Sequence, residues 1–153
     1  MSRDGPHPLR FVALFLVLGM TTACPQKSEG ETTPLKEGQV WKYETRSGEE
    51  SSRVVIIKIE ENENTGTIVH VAIDNIRIRN PAEPTGWKYK IGHLPVDERA
   101  LRKSLVAPDG QDFRPRDMTG YTKWKEAFQQ GKAGVWSLSL ADSLQTLENT
   151  YTR

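Results

Sequence analysis

Two segments rich in β-branched residues constrain the fold of this chain more than any other feature. The first, RVVIIKIEE, spans residues 53–61, and the second, TIVHVAID, spans residues 67–74. β-Branched side chains favour strands, and the apolar centre of the first segment indicates cover on both faces over part of its length. The turn-forming residues NENTG at 62–66 separate the two segments. They therefore predict two successive strands joined by a turn.

The rest of the chain supplies further strands and three helices. Alternating or apolar patterns predict strands at 40–43, 76–79, 87–91 and, late in the chain, 135–140. Apolar residues at helical spacing predict helices at 95–106, 119–130 and 141–151. In the second of these, Tyr121, Trp124 and Phe128 fall at i, i+3 and i+7 and form one aromatic stripe. Together these elements predict an α+β fold. We expect an antiparallel β-meander of four or five strands, helices covering one face of it, one late strand and a C-terminal helix.

The N-terminus has the pattern of an export signal. Residues 11–20 (FVALFLVLGM) are apolar or small, and Arg3 and Arg10 precede or border them. A helix needs about 20 apolar residues to cross a bilayer, so this run is too short to be a membrane span. It matches the apolar region of a secretory signal peptide, which we assign to residues 1–23.

The only cysteine follows a group of small residues directly. Thr21, Thr22, Ala23 and Cys24 resemble the lipobox of bacterial lipoproteins, in which the cysteine is acylated and becomes the first residue after cleavage. Thr21 departs from the leucine that is usual at its position in that family. The alternative is an ordinary secreted protein with a free Cys24 thiol. Pro25 stands where an inner-membrane retention signal would have Asp, which favours the outer membrane, facing the periplasm, in a Gram-negative host.

Behind the cysteine we expect a flexible tether over residues 24–37 and one domain over residues 38–153. The segment PQKSEGETTPLKEG at 25–38 is polar and contains two Pro and two Gly. The whole chain carries a net charge of +1, which gives no basic excess for nucleic acid. Cleavage before Cys24 would make the net charge zero, because two basic residues and one acidic residue leave with the signal peptide. Membrane attachment would then depend on the acyl chains.

The predicted domain contains no recognisable catalytic or metal-binding motif. Its histidines, His70 and His93, have no HExxH spacing, and no GxSxG sequence is present. A single cysteine cannot form a Cys-rich zinc site. The acidic residues at 49–50 and 60–63 are typical of solvated turns. We therefore predict no metal and no cofactor. His70 lies in a predicted strand, whereas we place His93 in a turn before Pro95, where it is the better candidate for binding.

Four aromatic residues form two pairs at a spacing of two. Trp41 and Tyr43 share one face of a predicted strand, and so do Trp87 and Tyr89 on another. If these faces are open, Trp41 and Trp87 are candidate binding residues for a sugar, a peptide or a partner protein. If the faces are buried, the aromatics belong to the core, which the lysines on the opposite faces favour.

Four segments of the domain carry a wider resemblance. GQVWKY (38–43), IVHVAIDNIRIRNP (68–81), IGHLPVDERAL (91–101) and GYTKWKEAFQQGKAG (120–134) resemble, in this order, a group of small bacterial proteins without an assigned activity. The resemblance implies a single domain from about Leu35 to Tyr151, and the group has no assigned catalytic residues to carry over.

These observations predict a lipid-anchored protein of the cell envelope that acts as a non-enzymatic binding or accessory module, with an envelope protein as a candidate partner. One alternative is a hydrolase-like enzyme of the envelope that uses His93 with an acidic partner such as Asp97. Another is an immunity or inhibitor lipoprotein, which would fit the size and the tether. An enzyme should place a titratable residue with a perturbed pKa in a cavity, whereas a binding module should expose an apolar patch or a sheet edge.

Overall fold

The computed structural model describes residues 33–153, together with Met1 and Gly30. Apart from those two single residues, the predicted signal peptide, Cys24 and the predicted tether as far as residue 32 lie outside the described part. Five strands occur at Gln39–Tyr43 (β1), Arg53–Asn62 (β2), Gly66–Arg79 (β3), Trp87–Asp97 (β4) and Leu105–Gln111 (β5). Three helices occur at Glu98–Ser104 (α1), Thr119–Gln129 (α2) and Leu140–Tyr151 (α3).

All strand pairings are antiparallel, in the order β4-β3-β2-β1-β5. The first four strands form a meander, and β5 returns to the free edge of β1. The predicted α+β fold with an antiparallel sheet is therefore confirmed. The strands expected at 67–74 and 76–79 are one continuous strand, because a bulge between Asp74 and Ile78 bends β3 without ending it. Asn75 occupies a left-handed conformation there, with φ of 59°.

Two local elements differ from the expectation. The helix expected at 95–106 is shorter, because α1 begins after Asp97 and gives way at Leu105 to an extended chain that pairs with β1. The late strand expected at 135–140 is reduced to a parallel bridge between Val96 and Trp136. At this bridge two backbone hydrogen bonds join Trp136 to β4, from Trp136 N to Pro95 O and from Asp97 N to Trp136 O. The start of α3 at Leu140, capped by Ser139, then ends the extended stretch.

The main core lies between one face of the sheet and two helices. Val69 and Val71 on β3 pack in the same buried cluster as Leu101 of α1 and Leu144 of α3. Leu140 of α3 is also fully buried there. Helix α2 does not join this face: its Trp124 contacts His70, which alternates with Val69 and Val71 and so points to the other side of β3. Residues 68–73 of β3 are therefore buried on both faces of the sheet.

The described end of the predicted tether contacts the domain. Leu35 packs against the core cluster, and a Glu37 carboxylate oxygen accepts a hydrogen bond from the backbone N–H of Ile59. The carbonyl oxygen of Thr33 accepts a hydrogen bond from the Arg102 guanidinium at 2.9 Å. The chain is thus attached to the domain from Thr33 onward, before the expected boundary at residue 38.

An ion cluster fixes the turn between β1 and β2 to the C-terminal helix. Glu49, which the sequence places in a solvated turn, is only 3% exposed. Arg46 donates two hydrogen bonds to Glu49 and one to Glu148 of α3. Glu49 also accepts a hydrogen bond from the backbone N–H of Arg77. The buried carboxylate thus joins the turn, β3 and, through Arg46, helix α3.

Replacing Arg46 should destabilise the protein, because Glu49 would remain buried without its counter-ion. We expect Arg46→Met to lower the free energy of unfolding by about 2 kcal/mol, measured by urea unfolding at pH 7. Arg99→Met is the matched control, since the Arg99 side chain is 89% exposed, and it should change the value by less than about 0.5 kcal/mol. Equal effects of the two substitutions would show that the cluster does not stabilise the fold.

Candidate functional site

The two histidines of the domain meet on the face of the sheet that α2 covers. His70 lies in β3 and is fully buried, and His93 lies in β4 and is half-buried. The Nδ1 atom of His70 and the Nε2 atom of His93 are 2.9 Å apart. His93 is therefore not in the expected turn. Strand β4 continues to Asp97 because its backbone stays paired with β3, and a register shift between Val71 and Ile73 accompanies the pairing beside His93.

Glu60 of β2 lies on the far side of His70. A Glu60 carboxylate oxygen is 3.6 Å from His70 Nε2, which has no hydrogen-bond partner within the described residues. A carboxylate only accepts hydrogen bonds, so the tautomer with a proton on His70 Nε2 is favoured. His70 Nδ1 then accepts a hydrogen bond from His93 Nε2–H. We refer to this arrangement as the Glu60–His70–His93 chain.

Side chains of α2 hold Glu60 and enclose the histidines. Tyr121 donates a hydrogen bond of 3.0 Å to Glu60, and Lys125 donates one of 2.8 Å. The rings of Tyr121 and Trp124 meet the His70 imidazole edge-on, with centroid distances of 4.9 and 4.8 Å. Trp124 is fixed in turn by stacking on Phe128 and by a hydrogen bond to the carbonyl of Gly134. The aromatic stripe predicted for this helix therefore covers the histidine pair.

Glycine at position 120 permits this close approach. An ideal Cβ atom built on Gly120 would lie 2.9 Å from the Cβ atom of His93. Carbon atoms that are not bonded pack at about 3.5 to 4.0 Å, so any side chain at this position would push the first turn of α2 away from β4. The absence of a side chain at Gly120 thus sets the distance between the helix and His93.

Burial and hydrogen bonds together control the ionisation of the three groups. Desolvation, followed by the proximity of His93, lowers the pKa of His70 to about 4. Desolvation also lowers the pKa of His93. Burial alone would raise the pKa of Glu60, but the hydrogen bonds from Lys125 and Tyr121 outweigh it and leave that pKa below its usual value. At neutral pH the chain therefore consists of one carboxylate and two uncharged imidazoles.

His93 borders two cavities. The first, of about 560 Å³, is mainly polar, and we call it the His93 cavity. It is lined by Asp74, Lys90, Gly92, His93, Arg114, Pro115, Arg116, Asp117 and Gly120. The second cavity, of about 400 Å³, is more aromatic and includes Trp124, Trp136 and Tyr151. Of the three groups in the chain, His93 is the one that lines these cavities.

The remaining candidate residues do not join this site. Asp97, the expected acidic partner of His93, instead caps α1 by accepting hydrogen bonds from two backbone N–H groups. The side chain that pairs with His93 is His70. Trp41 is fully buried in the core, where it offers no surface to a ligand. Trp87 is half-buried, and the Arg77 guanidinium lies 5.2 Å from its ring centroid. Tyr89, on the same strand, is 53% exposed.

Sequence reasoning missed Glu60, which it assigned to a solvated acidic turn. The usable signal was the pairing of β2 with β3, which places Lys58 opposite His70 and Glu60 opposite Ile68. Diagonal neighbours across a strand pair are within reach of long side chains. The turn at 62–66 fixes a hairpin register in which Glu60 lies near His70. The bulge between Ile56 and Lys58 shifts the register only beyond this point.

Comparison with protein-family models, curated proteins and solved structures finds no match to this chain. Within the described residues, no group of three or more His, Cys, Asp or Glu side chains is arranged to hold a metal ion. None of the helices in the same part of the chain is both long and apolar enough to cross a membrane.

The lowered pKa of His70 predicts an acid-sensitive fold. The unfolded chain binds a proton at His70 below about pH 6.5, whereas the folded protein does so only near pH 4. The contribution of His70 to stability should therefore fall between pH 6.5 and 4, by roughly 2 to 3 kcal/mol in total. Urea unfolding of the wild type and of His70→Phe at pH 7 and 4.5 measures this. The variant should lose less stability on acidification, and equal losses in both proteins would contradict the assignment.

Proposed function

We propose that this protein is a lipid-anchored module of the cell envelope that binds another molecule without transforming it. The attachment is supported by the short apolar run at 11–20 and by the lipobox-like residues up to Cys24. In a Gram-negative host we place the module on the outer membrane, facing the periplasm, because Pro25 follows the cysteine. The resemblance of the domain to small bacterial proteins without an assigned activity adds no catalytic role.

The observation that best supports binding is the His93 cavity. It is open and polar, and charged side chains of both signs line it together with His93. The two histidines form a hydrogen bond with each other. In the described part of the chain, neither forms one with a serine, threonine or cysteine that could act as a nucleophile. A cavity with polar groups but no activated nucleophile suits recognition of a ligand or of a polar segment of an envelope protein.

The anchor can be tested at Cys24. Cys24→Ser removes the thiol that would be acylated, so the protein should move from the membrane fraction to the soluble fraction of its host. Intact mass should show the loss of the acyl chains. The matched control is Ser28→Ala, a change of similar size in the adjacent polar segment, which should leave the protein in membranes. A membrane fraction unchanged by Cys24→Ser would refute the lipid anchor.

Partner binding can be tested separately from the anchor. A photoreactive residue placed at Lys90, on the rim of the His93 cavity, should cross-link to a ligand or partner in the envelope. The same residue at Glu63, in the distant turn between β2 and β3, provides the control. Cross-links that form equally well at both positions would argue against recognition at the cavity.

One observation favours a second function, that of a hydrolase-like enzyme. The Glu60–His70–His93 chain ends at a cavity, and such a chain can support His93 as a proton acceptor for a bound water. In this alternative His70 and Glu60 replace Asp97 as the partners of His93. Turnover of chromogenic esters that disappears in His93→Gln, with binding retained, would favour the enzyme. Binding without turnover in the wild type would favour the module.

A further inference from the structure

We propose that the His93 cavity binds a small oxyanion, that Arg116 and His93 both donate hydrogen bonds to it, and that His93 takes up a proton when it binds. This inference rests on the binding part of the proposed function and does not require the lipid anchor. Carboxylates, sulfates and phosphate groups share the negatively charged oxygens that such a site would recognise.

Arg116 supplies the first part of the argument. One of its terminal nitrogens donates to Asp112 at 2.7 Å and lies 3.4 Å from Asp74. Its Nε atom is buried and has no hydrogen-bond partner among the described residues. A buried donor without an acceptor is costly, and the guanidinium fork matches the paired oxygens of an oxyanion. Because Nε is enclosed, the donor open to the cavity is the second terminal nitrogen, Nη1, which is not among the buried atoms and makes no hydrogen bond within the described residues. Arg116 is therefore held in place by carboxylates while Nη1 remains available.

The charges around the cavity indicate that an anion requires a further positive charge there. Lys90, Arg114 and Arg116 line it, and Asp74 and Asp117 offset two of these charges. Asp112, just outside the lining, pairs with both arginines. With His93 neutral, the positive and negative charges are therefore balanced. An anion would be held more tightly if His93 became a cation, and the N-terminal turn of α2 at Gly120 adds a partial positive charge on the same side.

The Glu60–His70–His93 chain permits that proton uptake. His93 Nε2–H already donates to His70, so the proton adds to Nδ1, the remaining ring nitrogen. Nδ1 lies on the side of Gly120, which itself lines the cavity: it is 3.8 Å from the Cβ position built there. The proton comes from a hydronium ion or a buffer acid, whose bond to it breaks as the Nδ1–H bond forms, and no other covalent bond changes. The cationic His93 can then donate from Nδ1 to the oxyanion and from Nε2 to His70.

The titratable and charged groups around His93 come from every element that faces it. They are Glu60 of β2 through His70, His70 and Asp74 of β3, Lys88 and Lys90 of β4, Arg114, Arg116 and Asp117 of the loop before α2, Tyr121 of α2 and Tyr151 of α3. Burial keeps the pKa of His93 below its ordinary value when no anion is present. An anion at Nδ1 opposes this effect, so binding of the anion and of the proton should favour each other.

Sulfate is a suitable probe, because it stays a dianion over the pH range of interest. Titration calorimetry of the full chain in detergent between pH 6 and 8 should give a Kd that rises with pH, by up to about tenfold per pH unit. Repeating the titration in buffers of different ionisation enthalpy should show uptake of about one proton per sulfate. Sulfate binding that is weak and independent of pH would mean an adventitious ion only, and would overturn the proposal.

Three variants separate the roles of the residues. His93→Gln keeps a hydrogen-bond donor but cannot be protonated, so it should abolish the pH dependence of sulfate binding. Arg116→Gln should weaken binding at pH 6 by about tenfold or more. Arg99→Gln, which changes an exposed side chain of α1, is the control and should leave both unchanged. Far-ultraviolet circular dichroism checks that each variant is folded.

A measurement on the wild type alone guards against variants that unfold. Nuclear magnetic resonance of histidine-labelled protein should show the His93 pKa moving upward when sulfate is added. No saturable binding at pH 6, or an unmoved His93, would overturn the oxyanion site. If a partner still cross-links elsewhere on the domain, the binding module stands without it. If neither sulfate nor a partner binds, both proposals fall, whatever the result at Cys24.

Discussion

The burial of residues 68–73 of β3 on both faces is the constraint on which the rest of this structure depends. One face of the strand carries Val69 and Val71 into the core beneath α1 and α3, and the other presents His70 to α2. A strand covered on both sides has no access to water, so any polar group on it must find a partner within the protein. His70 is such a group, and its side chain therefore requires hydrogen-bonding and charged partners from the neighbouring elements.

That requirement explains the arrangement of β2, β4 and α2 around His70. His93 supplies a hydrogen bond from one neighbouring strand, and Glu60 supplies negative charge from the other. Tyr121 and Lys125 of α2 in turn hold the Glu60 carboxylate. The same contacts that satisfy a buried histidine lead by way of His93 to the edge of a polar cavity. A structural solution and a candidate binding site thus share the same residues.

The sequence predicts local elements well and long-range contacts poorly. β-Branched runs identify β2 and β3, and the spacing of Tyr121, Trp124 and Phe128 identifies α2 and its buried face. Strand β5 was missed because its pattern, with Pro108 and Gly110, resembles a loop, and its pairing with β1 brings together residues far apart in the chain. Glu60 was missed for a similar reason. An acidic residue near a turn is usually solvated, and only the register of the β2–β3 hairpin, which puts Glu60 on the face of His70, shows otherwise.

The ionisation of the two histidines provides the most direct test of the Glu60–His70–His93 chain. Nuclear magnetic resonance with nitrogen-15-labelled histidine reports the protonated nitrogen of each ring and its pKa. We expect His70 to stay uncharged until about pH 4, with its proton on Nε2, and scalar coupling to cross the hydrogen bond between His93 Nε2 and His70 Nδ1. Two histidines that titrate independently near their ordinary pKa of about 6.5, without this coupling, would contradict the arrangement.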